Sequence, residues 1–254
     1  MSIIVSLESV KNSRWNTDND PVTYYFDLLL WNKFLQGGNR FFLSLSRFWI
    51  FAAGVAASGF MGLFILLHRK QPAKQKRIAL IVTMSVCGMT GMALNLLFLL
   101  NFQEAFGSIY EMVGAMIAAN MLGLALGVLG ASQPLKKYDL KSLLLPALIA
   151  LICLVLLLPK LLNVLLIVQL IPATLIATIM SGGLIGMLFG MVNRFYLTSS
   201  SKVGSVYAFD VFGSSLGALT TCSVLLPVLG IQGVAYFLSL LLVPAVLTML
   251  LLPE

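Results

Sequence analysis

Residues 142 to 159 read SLLLPALIALICLVLLLP, eighteen consecutive positions without a charge. At 1.5 Å per helical residue such a run nearly spans the roughly 30 Å of bilayer hydrocarbon, which takes about 20 apolar residues. Comparable runs lie at 43–67, 78–100, 108–131, 171–193, 204–226 and 230–252. The chain of 254 residues is 59% hydrophobic and 10% charged, with a mean hydropathy of +0.99. Soluble domains carry about 25% charged residues. The expected fold is therefore all-α: a polytopic integral membrane helical bundle of about seven transmembrane helices over residues 41–254. Leu161 to Leu170 is a further short apolar stretch running into Pro172, and it reads as an interfacial piece, a re-entrant piece or an eighth crossing.

The net charge of +7 does not point to nucleic acid, because Lys and Arg cluster in short segments beside apolar runs and form no basic groove with interleaved aromatics. Cys87, Cys153 and Cys222 each fall inside an expected span without CxxC spacing, so they read as small buried apolar side chains. No disulfide, metal site, cofactor or catalytic residue is expected. His68 stands alone beside Arg69 at an expected membrane edge, as an interfacial residue. The start, MSIIVSLESVKNSR, has too short an apolar core for a signal peptide.

Charge sets an expected orientation. Arg69, Lys70, Lys74, Lys76 and Arg77 lie between the first two runs, Lys136, Lys137 and Lys141 between the third and fourth, and Arg194 and Lys202 between the fifth and sixth. The alternate links carry only Lys160, and Asn101 to Gly107 is read as a loop without Lys or Arg. By the positive-inside rule the basic links and the C-terminus are cytoplasmic, in a bacterial inner (plasma) membrane. An odd first crossing then leaves residues 1–40 outside although they hold Lys11, Arg14, Lys33 and Arg40, so either the first run does not cross fully, or the lead lies outside, or upstream helices set its side.

Residues 1–40 form a polar lead. It contains NTDNDPVTYYFDLLLW, Asn16 to Trp31, in which Asp18, Asp20 and Pro21 suit a turn and helix start. This stretch is similar to the NTD-x-x-P-x-x-Y segment that leaves the synthase domain of fused membrane spermidine synthase-like proteins. GMTGMALNLLFLLNFQEAFGSIYEMVGAMIAANMLGLALG, Gly88 to Gly127, resembles that family's G-x-x-x-M-x-L-E, F-Q-x-x-x-G-x-x-Y and F-M-x-G-L-A-x-G succession. GSVYAFDVFGSSLGALTTCSVLLPVLG, Gly204 to Gly230, is a weaker match. Asn95 stands where the family often has Glu, Asn120 where it has Phe, and Gly190 where it has Pro after Phe189.

The resemblance implies a membrane domain that anchors or partners a polyamine aminopropyltransferase, a soluble domain or chain, with the lipid bilayer as its other partner. The glycine-rich turn for decarboxylated S-adenosylmethionine and the acidic residues for the diamine have no counterpart here. Gly37-Gly38 and Gly182-Gly183 neither follow a strand nor open a soluble helix. The alternative is a transporter-like module that moves or senses a small cationic metabolite such as a polyamine.

Small residues recur at helical spacing: Gly123 with Gly127, Gly182 with Gly186 and Gly190, and Gly213 with Gly217. Such stripes let helix backbones approach where lipid supplies no hydrophobic drive, so they read as packing seams, with hinges as the other reading. Ionisable residues inside spans are costly, which singles out Asp210, Glu111 and Glu104 as candidate substrate-binding positions. Asp210, about 9 Å into its helix, is either held by Lys202, Arg194 or a hydroxyl such as Ser214, or it is a cation site facing a cavity. Glu104 is expected in a loop and Glu111 about one turn into the third run, where a solvated face is the plain reading. With carboxylates at both ends of a cavity, a polycation could be passed or sensed. Gly107-Ser108-Ile109-Tyr110 and Gly204-Ser205-Val206-Tyr207 open the third and sixth runs, the arrangement of an inverted repeat.

Overall fold

The computed structural model describes residues 47–67, 72–106, 110–132, 140–168, 170–199 and 204–251. The polar lead, His68 and Lys202 lie outside these. The helices are α1 (Arg47–Leu67), α2 (Pro72–Phe106), α3 (Tyr110–Ser132), α4 (Leu140–Val168), α5 (Ile171–Ser199), α6 (Ser205–Thr220) and α7 (Leu226–Leu251), with a π-helical turn at Thr221–Leu225. No strand occurs among the described residues.

Five stretches are long and apolar enough to cross a membrane: Lys74–Phe106, Met112–Ala131, Ser142–Ile167, Ile171–Leu197 and Ser205–Leu247. Their length and composition are those of an integral membrane helical bundle. Helix is the form such segments must take, since lipid offers no partner for backbone N–H and C=O groups. Several hydroxyls inside the spans are satisfied within their own helix, although those of Thr83 and Thr221 are buried without a hydrogen-bond partner. Thr90 donates to the Val86 carbonyl at 2.8 Å and Thr178 to the Thr174 carbonyl at 2.9 Å, so each polar side chain closes on its own helix.

Helix α2 is central: Leu80, Met84, Leu94, Leu97, Phe98 and Phe102 are all fully buried. Its buried Asn101 donates from Nδ2 to the Leu162 carbonyl of α4 at 3.2 Å. The outside is apolar too, with Met121, Leu129 and Met180 63%, 64% and 70% exposed, as surface facing acyl chains requires.

Several expectations are corrected. Asn101 to Phe106 is not a loop but the end of α2. Lys74, Lys76 and Arg77 belong to the first turns of α2, and Arg194 to the last turns of α5. Lys160 is an exposed residue within α4. Leu161 to Val168 is neither a separate piece nor an eighth crossing: α4 runs on through Pro146 and Pro159 and ends at Val168. Only Cys87 is buried, whereas Cys153 and Cys222 are exposed on the outer surface.

The 43-residue stretch Ser205–Leu247 breaks at Gly230, whose φ of 69° and ψ of 176° are not helical. Phe212 of α6 and Phe237 of α7 line one apolar groove of about 460 Å³, together with Ala53 and Gly54 of α1 and Ser85 of α2. In a straight helix these two rings would stand about 37 Å apart. The chain therefore turns back between them, at the one residue type that tolerates this backbone. The π-turn just before sits where the ring of Pro227 would otherwise crowd the Ser223 carbonyl.

Two helix pairs meet backbone to backbone. A Cβ on Gly123 would stand 2.2 Å from the Ile179 carbonyl oxygen, one on Gly127 2.0 Å from that of Gly183, and one on Gly186 2.2 Å from that of Leu124. Gly182 faces Asn120 and Gly190 faces Ala131, so α3 and α5 advance in the same direction in close contact. In the second pair, Gly213 of α6 lies against Ser85 and Gly217 against Met89 of α2, again parallel. In both pairs only glycine leaves room for the approach.

Candidate functional site

The two pairs enclose a pocket of about 90 Å³. Gly88 and Gly91 of α2, Asn120 of α3, Ser181 and Gly182 of α5, and Asp210 and Ser214 of α6 line it, with Met92, Leu94, Leu124 and Ile185 as apolar wall. Gly88, Asn120 and Ser181 stand near the middle of their helices, so the pocket lies near mid-height of the bundle.

Glycines bring the oxygens in. A Cβ on Gly88 would come within 2.6 Å of Asp210 Oδ1 and 3.0 Å of Ser214 Oγ, and one on Gly182 within 2.9 Å of Asn120 Oδ1. Asp210 and Asn120 therefore occupy volume that any larger residue at 88 or 182 would fill. Ser181 donates its proton to the Thr178 carbonyl at 2.9 Å, which leaves its oxygen lone pairs as acceptors.

Asp210 is half-buried as a residue, but its Oδ1 is fully buried and has no hydrogen-bond partner. The expectation that Arg194 or Ser214 holds it is not met at this oxygen, and Lys202 lies outside the described residues. Arg194 itself has a buried Nη1 without a hydrogen-bond partner, and its guanidinium carbon lies 6.0 Å from the Phe195 ring centroid. Such an oxygen is costly to keep charged unless a positive group or a proton compensates it.

The three acids do not converge. Glu104 stands exposed in the last turn of α2, about 24 Å along the axis from Gly88. Glu111 is placed in the first turn of α3, about 14 Å along the axis from Asn120. The picture of carboxylates at both ends of one cavity is thus replaced by a single carboxylate among neutral oxygens. No group of three or more His, Cys, Asp or Glu residues is placed to hold a metal ion among the described residues. Asn120 entered the sequence reading only as a departure from the resembled pattern, and Ser181 not at all. An amide in the middle of an apolar span was the available signal.

No family model matches the chain, and no curated protein or solved structure matches it either.

Proposed function

We propose that this chain is a transporter-like membrane module that binds and moves, or senses, a small cation at Asp210. The observation that carries this reading is the orphaned Oδ1 of Asp210 inside a pocket shared by four helices. An ionisable side chain inside a span, with one oxygen buried and unpartnered, marks a functional position by default.

The helix pairing supports the same reading. Exchanging α2 with α5 and α3 with α6 carries the α3·α5 pair onto the α6·α2 pair. That exchange moves three helices along the chain, an odd number, so it reverses direction as an inverted repeat does. GMTGM at 88–92 and GLIGM at 183–187 echo each other on the exchanged helices, as GSIY at 107–110 and GSVY at 204–207 do. The pocket lies between the halves, where transporters of this architecture bind their substrates.

Seven crossings belong to the proposal. Helix α1 has 21 residues, about 32 Å of helix, and the turn at Gly230 divides the longest stretch into two. By the positive-inside rule, the basic residues of α2 and α5 support a cytoplasmic side of a bacterial inner membrane for those ends and for the C-terminus.

The test is uptake of labelled rubidium and of labelled methylammonium into vesicles holding the purified chain. The reading predicts that Asp210→Asn lowers uptake at least tenfold. Equal uptake by the variant would count against it.

A second reading rests on the segments Asn16 to Trp31 and Gly88 to Gly127, whose resemblance implies an anchor or partner for an aminopropyltransferase-like chain. Isolation from native membranes in mild detergent tests it. An aminopropyltransferase activity that co-purifies with the chain supports the reading, and its absence opposes it.

A further inference from the structure

We infer that the Asp210 pocket takes a single positive charge, an alkali cation or one primary ammonium group, rather than a divalent metal or a whole polyamine. The inference rests on the cation-site reading above and narrows it.

Charge is the first argument. Among the residues that line the pocket Asp210 is the one ionisable group, and the remaining polar donors, Asn120, Ser181 and Ser214, are neutral. One carboxylate balances one unit charge. A divalent ion or a polyammonium would leave at least one positive charge uncompensated near mid-height of the bundle, where burying unpaired charge costs most.

Donor chemistry is the second. The side-chain donors come from α3, α5 and α6 and are oxygens: a carboxylate, an amide carbonyl and two hydroxyls. Oxygen donors suit hard cations and ammonium N–H groups. Met92 adds a thioether at the wall, but no imidazole or thiolate of a soft-metal site lines the pocket.

Size is the third. A volume of about 90 Å³ has room for a few water-sized groups. That accommodates an alkali ion with a water, or a methylammonium-sized head. An extended triamine does not fit. Gly88 and Gly182 set this size, because the carboxylate and the amide of Asn120 sit where their side chains would be.

The experiment is thermal unfolding of the purified full chain in detergent at constant ionic strength, with choline chloride replaced in turn by sodium, potassium, methylammonium, calcium or spermidine salts. The expected result is a rise in Tm on the order of 5 °C with sodium, potassium or methylammonium. Whichever of these acts alone identifies the source as an alkali ion or an ammonium. Calcium should give no Asp210-dependent rise, and spermidine none beyond that of methylammonium at equal concentration. Asp210→Asn should unfold at a higher temperature than wild type in choline, because it removes the orphaned charge, and should lose the response. Ser214→Ala, which keeps the carboxylate, should fold and need several-fold more cation for the same shift. A rise with calcium or spermidine alone, lost in Asp210→Asn, would overturn the single-charge inference while leaving a cation site. No Asp210-dependent rise with any salt would overturn both.

Discussion

The backbone of Gly127 on α3 lies so near Gly183 on α5 that a methyl group on Gly127 would stand 2.0 Å from the Gly183 carbonyl oxygen. That oxygen belongs to the helix ladder and cannot turn aside, so the two helices would have to part. Gly127→Ala is expected to destabilise the bundle by about 1–3 kcal/mol, the range of an overpacked core. Thermal unfolding in detergent checks this.

Gly114 and Gly130 lie on the same helix as Gly127, yet a Cβ on either meets nothing within 4 Å. Alanine there should be neutral or stabilise by up to about 1 kcal/mol through helix propensity. The same unfolding assay separates the cases. Equal losses at 114, 127 and 130 would mean that the α3·α5 seam is wrongly placed.

Gly230 holds φ 69° and ψ 176°, backbone that a side chain makes costly. Gly230→Ala should cost about 1–3 kcal/mol and loosen the reversal at this residue within α7. Limited proteolysis near residue 230 should accelerate in the variant. Unchanged stability and cleavage would contradict a reversal at this residue.

Orientation is open to direct labelling. Lys74 and Glu104 are exposed near opposite ends of α2. With Cys87, Cys153 and Cys222 replaced by alanine, an impermeant thiol reagent should reach Glu104→Cys in intact cells and Lys74→Cys only after permeabilisation. The reverse pattern would invert the topology.

What the sequence disclosed follows from the physics of each feature. Apolar runs of bilayer length identify helices because lipid admits no other form for an isolated segment, and α2 to α5 lie where those runs lie. Helix ends were less legible. Phe102, Glu104 and Phe106 read as a link by charge and polarity, but α2 continues past the apolar run and buries Phe102. The glycine stripes mark close approach without naming a partner, since Gly123 would suit any helix with a small-residue face. The pairing of α3 with α5, and of α2 with α6, is a property of the assembled bundle. Asp210 stands out in sequence as the one carboxylate deep in a run. Asn120 and Ser181 are uncharged, and only their convergence on Asp210 gives them meaning.

The most direct test of the account is a structure of the purified chain with thallium(I) replacing alkali ions, in which anomalous scattering marks the bound cation. The account predicts a peak within coordination distance of Asp210 Oδ1, between α2, α3, α5 and α6, that disappears in Asp210→Asn. A map with no peak in the pocket, and with Arg194 or another side chain of this protein bonded to that oxygen, would contradict it.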